Sequence, residues 1–208
     1  MRRIRIGVLA SGGGTNLQAI VDACERGEID GEVVVVITNL PNAYALERAR
    51  KHGIEAFCFP HKGLTREQHE ADIIECLEQH KVDLVCLAGY LRMLTPLFID
   101  KYAGRLMNTH PALLPSFGGP GMHGLRVHEA VLNYGCKVSG CTIHFVTREV
   151  DGGPIILQKA VPVLEDDTPE TLQERVLKEE HKLYPRAIQL FAQGKLKIEG
   201  RRVRILET

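Results

Sequence analysis

The sequence predicts an α/β fold built on an open, doubly wound and mostly parallel sheet, with an antiparallel addition in its second half. Apolar runs of strand length alternate with segments of helical periodicity in the first half, which indicates a parallel sheet with helices on both faces. The runs at 32–38 and 82–87 are mostly apolar, as expected of strands that are covered on both sides. After residue 105 the alternation ends, and a short loop joins two strand-like runs at 137–146 and 154–163, which suits an antiparallel pair.

The first half is predicted to alternate strands with helices throughout. The strands are residues 4–9, 32–38, 55–59 and 82–87, and the helices begin at residues 15, 44 and 65, the second ending at Gly53 and the third near residue 80. At two of these helix starts a threonine stands three residues before a glutamine, at Thr15–Gln18 and Thr65–Gln68. That spacing is typical of a capping box.

The second half is predicted to end in a long helix and a hairpin. Pro169 occupies the first helical position, which proline favours, and Pro185 should bend the helix because its ring opposes continuous helical bonding. Residues 195–206 should form a hairpin that turns at Gly200. No internal repeat or low-complexity linker interrupts the chain, so we expect one continuous domain over residues 1–208.

The composition argues against several classes of function. The chain has 26 Lys and Arg and 26 Asp and Glu, hence no formal net charge, which disfavours an extended nucleic-acid-binding surface. No apolar run approaches the length of a membrane span. The six cysteines form no C-x-x-C pair and are expected to be buried thiols of a cytoplasmic protein. Among the nine histidines, His123 and His128 are five apart without an H-E-x-x-H motif or a Cys/His cluster, so no metal is expected.

A glycine-rich segment, SGGGTN at 11–16, lies between the first strand and its helix. Consecutive glycines allow backbone amides to face an anion, and the amino end of a helix adds a favourable dipole. The segment is neither G-x-G-x-x-G, because Leu17 stands where the last glycine belongs, nor a Walker loop, because no Gly-Lys-Ser/Thr follows. We favour a phosphate-binding loop, and a tight structural turn is the alternative.

Asn108 and His110 end a strand-like run and precede two prolines, Pro111 and Pro115. Residues two apart in a strand point the same way, so both side chains can address one ligand atom. An amide and an imidazole suit a carbonyl oxygen that becomes negative during attack. An Asn turn beside a structural histidine explains this segment equally well.

Asp151 favours the catalytic interpretation of this pair. It precedes Gly152-Gly153 in the loop between two predicted strands, where backbone can approach closely. A carboxylate near His110 would favour the imidazolium form and could relay a proton through water. Glu149 is the rival carboxylate, but no glycine follows it directly. His144 is interpreted as a hydrogen-bonded structural histidine or a support for the site.

Five segments occur in the order found in the phosphoribosylglycinamide formyltransferases: SGGGTNLQ, LAGYLRMLTP, NTHPALLPSF, HFV...VDGGPI and EEHKLYP. The chain resembles this family of folate-dependent purine-biosynthesis enzymes over nearly its whole length. The second-half motifs are shared more widely by folate-dependent formyltransferases and deformylases, whereas SGGGTN singles out this family. The resemblance implies a Rossmann-like formyltransferase fold, with a nucleotide-binding half at 1–105 and a catalytic and folate-binding half at 106–208.

The resemblance also implies a reaction. The amine of 5-phosphoribosylglycinamide attacks the formyl carbon of 10-formyltetrahydrofolate, which is a co-substrate, and no metal takes part. Asn108 and His110 would stabilise the tetrahedral oxyanion, His110 would donate a proton, and Asp151 would organise the proton-shuttling water. The implied ribonucleotide-binding residues are Gly14, Thr15 and Asn16 for the phosphate, with Leu177, Lys178, Glu179 and, foremost, Glu180 for the rest of the molecule.

A further set is implied for the folate. Its members are Arg66, Leu91, Arg92, Met93, Leu94, Asn108, Thr147, Arg148, Glu149, Val150 and Asp151. The partners expected are these two small molecules, with no nucleic acid and no membrane, and the enzyme would be a cytoplasmic monomer or homodimer.

The chain departs from the commoner family form after Phe117, where residues 118–128 are several residues longer. His128 matches a family histidine, and His123 lies in the extra length, so contacts of this loop are not carried over. Rival functions are another formylfolate-using enzyme, such as a sugar-nucleotide formyltransferase or a formylfolate hydrolase, and a nucleotide-binding module without chemistry. We expect that the chain has no room for the additional domains of methionyl-tRNA formyltransferases or formylfolate hydrolases.

Overall fold

The computed structural model describes residues 2–207, which form a nine-stranded mixed sheet with helices packed against it. The strands are β1 (Ile4–Ala10), β2 (Gly31–Thr38), β3 (Glu55–Cys58), β4 (Leu84–Leu87), β5 (Leu106–His110), β6 (Val138–Phe145), β7 (Ile155–Pro162), β8 (Leu196–Glu199) and β9 (Arg202–Ile205). The helices are α1 (Thr15–Glu25), α2 (Tyr44–Lys51), α3 (Arg66–Gln79), α4 (Pro96–Lys101), α5 (Leu125–Tyr134) and α6 (Pro169–Ala192).

The strand order is β3-β2-β1-β4-β5-β6-β7-β9-β8. Strands β1 to β5 pair in parallel, whereas β6 is antiparallel to both β5 and β7. The chain changes direction across the sheet between β1 and β4, which are neighbours. In open α/β sheets such a switch point places the ligand crevice at the carboxyl ends of the strands. The expected fold class, including the antiparallel addition, is confirmed.

Apolar residues on β1 alternate between two cores, one on each face of the sheet. Ile6, Val8 and Ala10 belong to a core that contains residues of α1 and α6. Leu9 belongs to the other core, which contains residues of α3 and α4. Burial on both faces explains why the first strands are mostly apolar instead of alternating.

Several local predictions are corrected or extended. Thr15 does not cap α1, because the N-cap residue is Gly14, in the left-handed region, and no side chain caps this end. At α3 the Thr65–Gln68 capping box is present. Helix α6 continues through Pro185, which lies buried inside it. The helices α4 and α5 were not predicted, whereas the hairpin of β8 and β9 was.

Within residues 2–207 no helix combines the length and the apolar character that crossing a membrane requires. In the same part of the chain, no group of three or more His, Cys, Asp or Glu side chains is placed to hold a metal ion.

Candidate active site

A cavity of about 620 Å³ opens after the carboxyl ends of β1 and β4 and extends to the end of β5 and to the loop that follows β6. Its wall contains Thr15 and Asn16 after β1, residues 89–94 after β4, and residues 108–111 at the end of β5. The structure thus brings these three segments together at one edge of the sheet.

Most of the predicted site residues line this cavity. They are Thr15, Asn16, Leu91, Arg92, Met93, Leu94, Asn108, His110, Thr147, Arg148, Val150, Asp151, Leu177 and Glu180. Five others do not line it: Gly14, Arg66, Glu149, Lys178 and Glu179. Gly14 is the buried N-cap of α1, Arg66 begins α3 on the surface, and Lys178 is exposed. Glu179 forms an ion pair with Lys182 at 3.1 Å.

The pairing of β5 with β6 places several polar side chains on one face of the sheet. Asn108 is opposite His144, and His110 is opposite Thr142. Directly opposed residues of an antiparallel pair share a face, and residues two apart in a strand share it too. Asn108, His110, Thr142 and His144 therefore point the same way, which the sequence alone predicted only for the first two.

His110 is held in a defined orientation. The residue is 3% exposed, and its Nε2 lies 2.8 Å from the carbonyl oxygen of Phe117. Because a carbonyl can only accept, Nε2 carries the proton in this bond. The other ring nitrogen, Nδ1, is thereby left for a ligand or for a second proton.

Thr142 fixes the chain that leaves β5. Its hydroxyl donates to the carbonyl oxygen of Ala112 at 2.7 Å and accepts from the Leu114 amide at 3.1 Å. The side-chain amide of Gln158 donates to the same hydroxyl at 3.0 Å. These bonds, with the prolines of this segment, make a rigid support for His110.

Asp151 is the carboxylate that approaches His110. Its Oδ2 lies 3.7 Å from His110 Nδ1 and accepts a hydrogen bond from the Gly119 amide at 2.9 Å, and its Oδ1 lies 3.9 Å from His144 Nε2. The separation of 3.7 Å is longer than a hydrogen bond, so Nδ1 stays available to a ligand. The rival Glu149 instead forms an exposed ion pair with Arg201 at 3.5 Å.

The loop of Asp151 depends on the glycine that follows two residues later. A Cβ on Gly153 would come within 1.8 Å of the Phe145 carbonyl oxygen, a distance that no side chain tolerates. Asp151 itself has a φ of 52°, in the left-handed region that aspartate tolerates better than most residues. The close backbone approach expected here is present.

His144 lies behind the site and is 2% exposed. Its Nδ1 is 3.0 Å from the Phe145 carbonyl oxygen, and within residues 2–207 its Nε2 has no hydrogen-bond partner. Burial lowers the pKa of His144, against the opposing effects of the Phe145 bond and Asp151. A neutral ring behind Asp151 agrees with a supporting role and not with proton donation.

The first turn of α1 meets α6 through a buried pair. The amide of Asn16 donates to Glu180 at 2.8 Å, and Glu180 is 4% exposed. Burial raises the Glu180 pKa to about 7, although the Asn16 bond acts in the other direction. The carboxyl group can therefore be neutral or charged near neutral pH.

A sequence model of the formyl transferases matches residues 4–188, which is most of the chain. The chain belongs to the formyl transferase family. The family inferred from the five sequence segments is thus confirmed.

Individual relatives of this formyl transferase are similar over nearly its whole length. Phosphoribosylglycinamide formyltransferase of Escherichia coli (strain K12) is 43% identical over 196 residues, which are 94% of this chain and 90% of that protein. The trifunctional purine biosynthetic protein adenosine-3 of Bos taurus is 44% identical over 198 residues, covering 95% of this chain but 19% of that protein. The crystal structure of glycinamide ribonucleotide transformylase 1 from Symbiobacterium toebii has a TM-score of 0.94 and 52% identity, covering 99% of this chain and 95% of that one.

Several residues in the cavity wall of this formyl transferase were not predicted. The loop that precedes α5 contributes Met122 and His123, and α5 itself contributes the buried His128. Helix α6 contributes Gln173 and Val176 in addition to the predicted positions. Their spacing from Glu180, seven and four residues, is that of one helix face and could have identified them. The loop has no comparable periodicity.

Proposed function

We propose that this formyl transferase moves the formyl group of 10-formyltetrahydrofolate to the amine of 5-phosphoribosylglycinamide, a step of de novo purine biosynthesis. One observation carries the proposal. A single cavity joins the start of α1, which suits a phosphate, to Asn108, His110 and Asp151, which suit a carbonyl under attack. The names of the relatives support this choice of acceptor.

The chemistry follows from these side chains. When the amine nitrogen attacks the formyl carbon, the formyl oxygen becomes negative and the nitrogen acquires a surplus proton. The amide of Asn108 can donate a hydrogen bond to that oxygen, as in other preorganised oxyanion sites. His110, with Nε2 bonded to Phe117, can present a protonated Nδ1 to it. The C–N bond to the folate then breaks, and the folate nitrogen leaves with a proton.

Asp151 supports the charge on His110. The carboxylate lies 3.7 Å from His110 Nδ1, close enough to stabilise by Coulombic attraction a positive charge that the ring carries during the reaction. It is also suited to hold a water that accepts the surplus proton of the amine and passes it towards the leaving nitrogen. The Gly119 amide holds the carboxylate in place.

The two ends of the cavity are assigned to the two substrates. Gly14, Thr15 and Asn16 would bind the phosphate, and Leu177, Lys178, Glu179 and Glu180 would contact the rest of the ribonucleotide, with Glu180 foremost. The folate would take the other end. There Leu91 and Met93 are 61% and 48% exposed although they line the cavity, and such exposed apolar side chains suit a flat ring.

The remaining folate assignments, Arg66 and residues 147–151, are proposals of the same kind. Arg148 already forms an ion pair with Asp100, so a folate carboxylate would have to compete for its guanidinium. Glu149 and Arg66 do not line the cavity, and their contact with the folate would require the extended tail of that substrate.

The decisive experiment incubates the protein with 10-formyltetrahydrofolate and follows tetrahydrofolate release with and without 5-phosphoribosylglycinamide. We expect release that depends on the acceptor, together with formylated ribonucleotide identified by mass spectrometry. Release without acceptor would instead indicate a formylfolate hydrolase. No reaction in either case would indicate a binding module, and transfer only to an amino sugar nucleotide would identify a different transferase.

We also propose a cytoplasmic monomer or homodimer. All six cysteines are free thiols, and four of them are buried, which suits a reducing compartment. Size-exclusion chromatography with light scattering would determine the oligomeric state.

A further inference from the structure

Two carbonyl groups of the glycine-rich loop are turned towards α2. The Ala45 amide donates to the Gly12 carbonyl oxygen at 3.1 Å, and Arg48 Nε donates to the Gly13 carbonyl oxygen at 2.7 Å. In a trans peptide the N–H points opposite to the carbonyl of the same plane. The amides of Gly13 and Gly14 are therefore directed away from α2.

These amides add to the unpaired amides at the start of α1. The first N–H groups of a helix have no partner within the helix, and α1 has no side-chain cap. Asn16 provides an independent sign of a missing ligand, because it is 8% exposed and lines the cavity, yet within residues 2–207 its Oδ1 has no hydrogen-bond partner. This oxygen can only accept, so it is left for a hydroxyl or amine donor of the ribonucleotide beside the phosphate.

Arg48 has no carboxylate partner within residues 2–207. Besides the Gly13 carbonyl, its hydrogen-bond and cation–π partners within the described residues are two neutral groups: the side-chain oxygen of Gln18 at 3.2 Å and the ring of Tyr44, whose centroid is 5.0 Å away. Arg50, on the same helix, lies 3.9 Å from Glu47. Arg48 is thus half-buried and held by three neutral partners. Because no carboxylate neutralises its charge, it raises the local positive potential.

A groove of about 350 Å³ runs beside this guanidinium. It is lined by Thr15, Gln18, Ala19, Asp22, Arg26, Arg48 and His181, so its lining residues carry two guanidinium groups and one carboxylate. Thr15 also lines the main cavity, so the groove reaches the loop that we assign to the phosphate. The Nε2 atom of His181 is buried there without a partner within residues 2–207.

We propose that Arg48 is the positioning residue of the phosphate site: through the Gly13 carbonyl it orients the loop amides, and its unneutralised charge favours an anion in front of them. This inference rests on the proposed function, since it concerns how that site selects a phosphorylated acceptor. Arg48 acts through the loop and not on the reacting atoms. The effect should therefore be confined to the phosphate.

Arg48 is a better probe of the phosphate site than the loop itself. A Cβ on Gly14 would lie 2.9 Å from Ala45 Cβ, and Gly14 has a φ of 70°, so a bulky residue there would disturb the contact of α1 with α2. The side chain of Arg48 is partly exposed, so shortening it creates no steric overlap in the core and removes only its own contacts with the loop.

The test compares Arg48→Met and Arg48→Lys with the matched control Arg50→Met, which removes an arginine whose side chain is 71% exposed from the same helix. Steady-state kinetics are measured with 5-phosphoribosylglycinamide and with the corresponding riboside, which has no phosphate. For Arg48→Met we expect a KM for the ribonucleotide that is about ten- to a hundredfold higher, the range for a charge-assisted hydrogen bond. The kcat, the KM for formylfolate and the activity with the riboside should change less than about twofold.

Arg48→Lys keeps the charge but offers no planar fork, so its ribonucleotide KM should lie between those of the wild type and Arg48→Met. Arg50→Met should match the wild type. The inference is wrong if Arg48→Met lowers kcat/KM equally for both acceptors, or if its ribonucleotide KM is unchanged while the wild type is active. A wild type without ribonucleotide-dependent transfer would instead refute the proposed function. Thermal unfolding of each variant, with the formylfolate KM, separates misfolding from loss of phosphate binding.

Discussion

Glu180 should make the folded protein less stable as the pH rises, and replacing it with glutamine should remove this contribution. The residue is 4% exposed, and its only side-chain partner within residues 2–207 is the neutral amide of Asn16. Burial raises its pKa from 4.5 to about 7, and the Asn16 bond offsets part of the increase. We therefore consider the variant Glu180→Gln, which keeps the shape and removes the ionisation.

The direction of this pH dependence follows from comparing the ionisation of Glu180 in the folded protein and in the unfolded chain. Below pH 4.5 the carboxyl group is protonated in both states, so its ionisation does not oppose folding. Between 4.5 and about 7 the unfolded chain releases the proton while the folded protein keeps it, and the free energy of unfolding decreases as the pH rises. Above the folded-state pKa the whole penalty is present. The difference between the two pKa values corresponds to about 3 kcal/mol.

The assay is urea unfolding of the wild type and Glu180→Gln at pH 5 and pH 8. The stability of the variant relative to the wild type should increase by about 2–3 kcal/mol between the two pH values. Glu174→Gln is the matched control, because Glu174 is exposed on the same helix, and its relative stability should be the same at both. Parallel pH dependences of the wild type and Glu180→Gln would refute the argument. Glu180→Gln should also show a higher ribonucleotide KM. A buried carboxylate lowers stability, and we expect that the chain retains it because it binds the substrate.

Three further predictions concern the reaction. Asn108→Ala should lower kcat by about 10²–10³, and the double variant with His110→Ala should lose less than the product of the single losses in single-turnover assays, because the two groups act on one oxygen. Asp151→Asn should lower kcat and change its pH profile while the KM for the ribonucleotide stays near the wild-type value, whereas an unchanged profile would separate Asp151 from His110. Ser11→Ala should raise the formylfolate KM up to about tenfold and spare the ribonucleotide KM, because the Ser11 hydroxyl accepts from the Leu91 amide at 2.9 Å and its loss leaves that amide unpaired.

The fold could be predicted from the sequence where physical constraints are local. Strands that are buried on both faces are continuous apolar runs. The end of the strand–helix alternation after residue 105 correctly indicated the antiparallel strands. The capping box at Thr65 was correct because nothing competes with it. At Thr15 the same Thr-x-x-Gln spacing gave a wrong prediction, because the preceding Gly14 takes the left-handed conformation and occupies the N-cap position. Helix α4 was missed because its six residues span less than two turns, and α5 was missed because no capping side chain marks its start.

The candidate site was predictable where the sequence itself sets direction. Asn108 and His110 share a face because they are two apart in one strand. Their alignment with Thr142 and His144 depends on the register between β5 and β6, which no local pattern specifies. Likewise, the 2.9 Å bond from Gly119 to Asp151 joins two segments that are distant in the chain. Such contacts emerge only when the sheet is assembled.

The geometry around Asp151 explains why glycines surround the carboxylate that we propose to be catalytic. A Cβ on Gly118 would lie 2.6 Å from a Leu114 methyl group and 3.3 Å from Asp151 Cβ, and one on Gly153 would overlap the Phe145 carbonyl. Two backbone segments can thus close on the carboxylate from opposite sides, leaving it 12% exposed. Low exposure strengthens its electrostatic effect on His110, and the Gly119 amide compensates part of the lost hydration. In the proposed mechanism the glycines therefore act through electrostatics, although they contribute no side chain to the reaction.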